Sequence, residues 1–124
     1  MDVKRARLIT VFGCGGSRDR KKRPLMGAVS SKMSDFTVLT SDNPRSERPE
    51  DILAEIETGM AGKNYAVVPD RKEAIRSAID MARKNDMILI AGKGHEDYQV
   101  FADRTVHFSD QETALEILKT MGLT

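Results

Sequence analysis

An α/β fold, built on a mainly parallel sheet with helices on both faces, is predicted by three features of this 124-residue chain. Short apolar runs alternate with longer stretches whose apolar residues recur at helical spacing. Glycine, proline, asparagine and aspartate gather where one pattern gives way to the other. The run Met87 to Ile90 is apolar on both faces, as an interior parallel strand should be.

The elements follow in order. Leu8 to Phe12 is apolar or β-branched throughout and stops abruptly at glycines, which reads as a buried strand followed by a glycine-rich turn. Pro24 suits the first turn of a helix, where a missing N–H costs nothing, and Leu25, Ala28, Val29 and Met33 then recur at helical spacing. Phe36 to Leu39 reads as the second strand and Ser41 to Arg48 as a loop. Pro49 opens a helix whose Ile52, Leu53, Ile56 and Met60 form one apolar stripe. Tyr65 to Val68 supplies a third strand. Asp70 and Glu73 have capping-box spacing for a helix that turns Ala74, Ile75, Ala78, Ile79 and Ala82 inward.

Met87 to Ile90 is the fourth strand. From Tyr98 to Phe108 the chain alternates around Ala102-Asp103-Arg104, which predicts a short hairpin or strand pair at the sheet edge. Ser109 and Glu112 repeat the capping box, and Ala114, Leu115, Leu118 and Met121 mark the last helix. Met26, Met33, Met60, Met81 and Met121 fall in helical segments and read as flexible core filling, not as a cofactor box. With right-handed crossovers the whole is Rossmann-like, and residues 1–124 are expected to form a single domain.

Composition narrows the function. Twenty basic against nineteen acidic residues leave a formal charge of +1, unlike the strongly basic footprint of a nucleic-acid binder. The lone Cys14 cannot form an intrachain disulfide, and no second cysteine or histidine stands at metal-ligand spacing beside it, so no metal site is expected and a reducing cytoplasm fits best. No apolar stretch approaches the ~20 residues that cross a bilayer. Nucleic acid and membrane are therefore not expected partners.

Three loops carry the chemistry: Gly13-Cys14-Gly15-Gly16-Ser17-Arg18, Asp42-Asn43-Pro44-Arg45 and Gly92-Lys93-Gly94-His95-Glu96. Each follows a strand, so in a parallel sheet they converge at the carboxyl edge, where open α/β sheets place ligands. The first misses both the GxGxxG spacing of a dinucleotide fold and the order of a P-loop. Its glycines still let backbone N–H groups approach an anion, although a tight turn followed by a solvated basic run from Arg18 to Arg23 explains them too. Arg18 would lower the pKa of Cys14, but no base stands nearby in sequence to make it a nucleophile.

In the second loop, proline restricts the backbone so that Arg45 is held, and an arginine fork binds a carboxylate through two parallel hydrogen bonds. The plainer reading is a clasp between Asp42 and Arg45. In the third, Glu96 can accept hydrogen bonds from an ammonium. His95 in a polar loop is more often a strut than a proton carrier. Two arginines and a glutamate facing one space suit a ligand with both a carboxylate and an ammonium.

In this order, FGCGGSRDRKKRPLMG, TSDNPRSE and AGKGHEDYQ closely resemble the C-terminal domain of the Mur ligases, over about Leu8 to Met121. The resemblance points to the branch that adds meso-diaminopimelate to UDP-MurNAc-L-Ala-D-Glu, a UDP-MurNAc-dipeptide, in peptidoglycan synthesis. It implies a Rossmann-like domain that presents the incoming amino acid to an acyl phosphate. It carries Arg18, Asn43, Arg45, Gly92 and Glu96 over as diaminopimelate contacts, with Asp42 and Pro44 supporting them. No catalytic residue is carried over.

It also implies an N-terminal domain and a central ATPase domain, absent from this sequence, which bind most of the ATP and Mg2+. A strand-helix pair that opens the family domain is expected to be missing too. Lys21 and Lys22 are the weaker candidates for nucleotide phosphates, and Ser17 stands where many relatives carry an acidic residue. The chain alone is expected not to hydrolyse ATP or form a peptide bond. The alternative is a stand-alone module that binds an amino acid or nucleotide.

Overall fold

A computed structural model of the chain describes residues 6–17, 19–93 and 95–123. The elements run β1 (Leu8–Phe12), α1 (Lys22–Met33), β2 (Phe36–Leu39), α2 (Pro49–Glu57), β3 (Tyr65–Val67), α3 (Arg71–Met81), β4 (Met87–Ile90), β5 (Tyr98–Val100), β6 (Thr105–His107) and α4 (Asp110–Thr120). The first four strands form one parallel sheet in the order β3-β2-β1-β4. Val11 in β1 lies opposite both Val38 in β2 and Ile90 in β4.

Strand alternation divides the apolar residues between two cores. Ile9, Val11 and Val38 pack with Ala74, Ile75, Ala78 and Ile117, on the side of α3 and α4. Phe12 and Leu39 point the other way and meet Ile52, Leu53 and Ile56 of α2. Full burial of each such isoleucine or leucine contributes about 1.5–3 kcal/mol, which makes these strands the foundation of the fold. Asp70 and Ser109 cap α3 and α4 by accepting from the backbone N–H groups of Glu73 and Glu112, as their spacing predicts.

Several expectations need correction. In α1 the residues at helical spacing, Leu25, Ala28, Val29 and Met33, are exposed, and the buried ones are Arg23, Gly27 and Ser30. Gly27 explains the rotation: a Cβ there would come within 2.4 Å of the Ile56 carbonyl oxygen, so α1 lies too close to α2 for anything larger. Ser30 bonds Thr37 at 2.7 Å on the same inward side. The apolar residues of α1 instead border a groove of about 440 Å³ with Leu8, Thr10 and Phe12 of β1 and Leu89 of β4.

That groove continues to an edge. Among the described residues β4 pairs only with β1, so it is an edge strand and not an interior one, and Met87 is 65% exposed. The methionines divide likewise. Met60 and Met81 pack against the cores, whereas Met26, Met33 and Met121 are exposed. Strands β5 and β6 pair antiparallel as expected, but they form a separate two-stranded sheet and do not extend the main one. In α4 the buried anchor is Ile117, while Leu115 is exposed.

Candidate functional site

The strand order makes a crevice. From β1 the chain crosses through α1 and α2 toward β3, then returns through α3 to β4 on the other side of β1. Helix α2 packs on the Phe12 and Leu39 face of the sheet and α3 and α4 on the Ile9 and Val11 face, and the strand order reverses between β1 and β4. Open sheets bind ligands in the gap that results. The loop after β2 lies beside it.

The loops after β1 and β2 are stitched together by their backbones. Thr40 N donates to the Phe12 carbonyl at 2.9 Å, and Gly16 N to the Asn43 carbonyl at 2.7 Å. A Cβ at Gly16 would stand 1.7 Å from the Pro44 oxygen, and one at Gly13 would stand 2.1 Å from that of Thr40. These glycines admit a second backbone. The fit to neighbouring chain, more than to an anion, explains them.

Arg45 sits in the left-handed region at φ 55, held there by its own N–H donating to the Val100 carbonyl at 2.9 Å. Its Nη1 donates to the carbonyls of Gly16 at 2.9 Å and Asn43 at 3.4 Å. The expected clasp with Asp42 is not what restrains it. Among the described residues these side-chain bonds engage Nη1 alone, and the residue is partly exposed.

Lys93 is the hub that joins the second and third loops. Its side chain is fully buried, with Nζ donating to the Tyr98 carbonyl at 2.6 Å and to Asn43 Oδ1 at 3.2 Å. It lies 3.3 Å from Asp42 Oδ1 and 3.9 Å from Glu96 Oε1. The approach to Asp42 lacks hydrogen-bond direction, which leaves that buried oxygen neutralised by charge but without a hydrogen bond. Asn43 Oδ1 also accepts from Val100 N at 3.0 Å, and its Nδ2 reaches Glu96 Oε1 at 3.4 Å. Gln99 Nε2 closes the group on the Asp42 carbonyl at 2.8 Å.

Asn43 thus touches both neighbours, Arg45 through its backbone carbonyl and Glu96 through Nδ2, while Asp42 lies against the Lys93 ammonium. Gly92 adopts φ 111, a conformation that any side chain would strain, at the mouth of the third loop. Asn43 is almost wholly buried and its Oδ1 is already used twice, so Nδ2 is the atom it offers. Arg18 and Gly94 lie outside the described residues. Lys21 and Lys22 are exposed, and Lys22 borders the apolar groove. Among the described residues no group of three His, Cys, Asp or Glu side chains is placed to hold a metal ion.

The basic run is not uniformly solvated. Arg23 is 1% exposed and donates to Glu47 at 2.8 and 3.0 Å, to Glu55 at 3.1 Å and to the Gly15 carbonyl at 2.9 Å, while Arg20 pairs with Glu55 outside it. Glu47 also accepts from Ser17 N at 2.6 Å. Arg23 above all, then Ser17, hold the Glu47 carboxyl down from its ordinary 4.5 to about 2. A depressed carboxylate stabilises the fold above its unfolded pKa, and that contribution fades as pH falls from about 4.5 toward about 2. Thermal melts of Glu47→Gln are accordingly expected to lose less stability across this interval than the parent does. Parallel acid slopes for the two proteins would contradict the clasp.

Burial, the leading cause, pushes the Cys14 thiol up to about 11 against the partial opposition of Arg23, so it is not the activated thiol that an adjacent cation suggested. Lys93, Arg23, Glu47 and Gln99 are organising residues that spacing did not single out. A long polar side chain in a loop or short strand carries no periodicity. Its inward turn is decided by carbonyls from distant segments.

The chain is similar throughout to proteins of one kind. A family model described as "Mur ligase, glutamate ligase domain" matches residues 1–94. A UDP-N-acetylmuramoyl-L-alanyl-D-glutamate--2,6-diaminopimelate ligase of Clostridium acetobutylicum is 54% identical over 120 residues, 97% of this chain and 25% of that protein. A ligase of the same name from Syntrophomonas wolfei is 54% identical over 121 residues, with 95% and 25% covered. A solved structure of a ligase with that name superimposes with a TM-score of 0.89 at 40% identity, covering 95% of this chain and 25% of its own. The chain therefore spans about a quarter of the length of the relatives it matches.

Proposed function

The chain belongs to the Mur ligase family by its glutamate ligase domain, and from that membership we propose that it selects the amino acid in a larger cytoplasmic ligase. That ligase would add meso-diaminopimelate to UDP-MurNAc-L-Ala-D-Glu during peptidoglycan synthesis, with residues 1–124 acting as one domain. The observation that carries this reading is the placement of Arg45 and Glu96, opposite in charge, on two loops joined through Asn43. The far end of meso-diaminopimelate is a zwitterion. Arg45, with Arg18, would clamp its carboxylate through charge-assisted hydrogen bonds, while Glu96 and the Gly92 carbonyl would accept from its ammonium. Asn43 Nδ2 would serve the same end group, with Asp42 and Pro44 keeping it in place.

Selectivity follows from the unpaired alternative. Lysine has the ammonium but no distal carboxylate, so its binding would leave the outer donors of the Arg45 fork, and Arg18, without the carboxylate they would otherwise bind. A site built to pair a polar group rejects the analogue that lacks it far more strongly than an apolar pocket rejects a missing methylene. The incoming amine, once held, would attack an acyl phosphate formed elsewhere in the ligase and release phosphate.

ATP and magnesium belong to that other part. The loop after β1 lacks the P-loop order that would cradle nucleotide phosphates, and no metal-binding group is placed among the described residues. A role for Lys21 and Lys22 at the nucleotide phosphates would be auxiliary. A stand-alone binding module is the weaker alternative for a chain a quarter the length of its relatives.

The test is turnover. The full-length protein is expected to release phosphate from ATP only when both UDP-MurNAc-L-Ala-D-Glu and meso-diaminopimelate are present, whereas residues 1–124 alone release none. Phosphate release by the full-length protein that is indifferent to meso-diaminopimelate would overturn the proposal.

A further inference from the structure

We infer that Arg71, which touches no part of the proposed ligand site, is a positioning residue that sets the spacing between the loops bearing Arg45 and Glu96. The inference rests on the proposed function for its link to ligand selection, but not for its geometry. Strands β2 and β4 are not neighbours; β1 lies between them, so no sheet hydrogen bond joins their ends. The Arg71 guanidinium spans that gap. Nη1 donates to the Ser41 carbonyl at 3.0 Å, one residue before Asp42, and Nη2 donates to the Ala91 carbonyl at 3.2 Å, one residue before Gly92. Nε and Nη2 also donate to the two oxygens of Asp110, at 2.7 and 2.8 Å.

The placement is poor design for stability alone. Arg71 is the first residue of α3, so its charge stands at the positive end of that helix dipole, and it is 1% exposed. A buried ion pair is often no better for stability than well-packed apolar residues of similar volume. Asp110 is better placed, at the first position of α4, where the helix dipole favours a carboxylate. What an apolar pair cannot do is donate to two carbonyls across a strand in a fixed fork. Lysine, a point charge on a flexible stem, cannot reproduce that fork either.

The test compares Arg71→Lys and Asp110→Asn with the parent in the full-length protein. With meso-diaminopimelate varied, Arg71→Lys is expected to raise its KM roughly tenfold, the equivalent of about 1.4 kcal/mol of binding. The KM values for ATP and UDP-MurNAc-L-Ala-D-Glu should stay unchanged, as should kcat at saturating meso-diaminopimelate. Discrimination against lysine should fall in parallel. Asp110→Asn, which keeps the volume and one acceptor, should give a smaller change in the same direction.

Spin labels on Ser46→Cys and Asp97→Cys measure the loop spacing directly, without ligand. Arg71→Lys should shift or broaden that distance distribution. If the spacing and the meso-diaminopimelate KM both match the parent while melting temperature falls, Arg71 is merely structural and the inference is wrong. If the spacing changes but the parent itself never uses meso-diaminopimelate, the positioning role stands and the functional reading fails.

Discussion

Replacing Arg45 with alanine is expected to raise the KM for meso-diaminopimelate in the full-length protein by roughly 100-fold, the equivalent of the 2–3 kcal/mol carried by hydrogen bonds to a charged group. The guanidinium is already bound to the Gly16 and Asn43 carbonyls through Nη1, so little side-chain freedom remains to be lost when a carboxylate arrives. Arg45→Lys should recover little of the loss, because an ammonium cannot reach those carbonyls and a carboxylate with the same fork. Use of lysine, which brings no distal carboxylate, should fall far less in either variant. Steady-state kinetics with each amino acid provide the comparison. Equal losses for the two would mean that Arg45 does not recognise the distal carboxylate.

The second large effect concerns stability. Lys93→Met is expected to destabilise the chain by about 3 kcal/mol or more, the range for removing one partner of a buried ion pair. The side chain of Lys93 is fully buried between Asp42, Asn43 and the Tyr98 carbonyl, and its loss strands a carboxylate oxygen that has no hydrogen bond of its own. Asp42→Asn in that background should recover part of the deficit, because the uncompensated charge goes with it. Urea unfolding of the single and double variants measures both. A double variant less stable than Lys93→Met alone would show that the charge is not the cause.

Much of the fold was legible in the residues because it depends on periodicity and caps. The capping pairs Asp70/Glu73 and Ser109/Glu112, the residues Ile52, Leu53 and Ile56, and the strands from Leu8, Phe36, Tyr65 and Met87 lie where their patterns place them, whereas Met60, expected on the same helical stripe, lies beyond the end of α2 at Glu57. The failures share a cause. Leu25, Val29 and Met33 have a core-like pattern in α1, yet Gly27 and Ser30 form the inward face because close approach to α2 admits only small residues. Apolar spacing reports which residues share a helix face, not which face is turned inward. Met87 to Ile90 reads as interior for the same reason: nothing local to a strand states how many neighbours it has.

The candidate site was half legible. Motif order and the carboxyl-edge rule place Asn43, Arg45, Gly92 and Glu96 on neighbouring loops, and in the structure Asn43 and Glu96 join those loops. It did not disclose that Asp42 answers to Lys93 instead of Arg45, or that Glu47 turns back to hold Ser17 and Arg23. Both depend on which buried cation lies within reach. That is a property of assembled loops and not of the spacing within one.

The central claim, that these loops grip the zwitterionic end of meso-diaminopimelate, is tested most directly by a crystal structure of the full-length protein with that amino acid bound. The distal carboxylate is expected within hydrogen-bond distance of the Arg45 guanidinium, with the neighbouring ammonium against Glu96 and the Gly92 carbonyl. A bound molecule whose distal carboxylate lies away from Arg45, with Glu96 facing solvent, would contradict it.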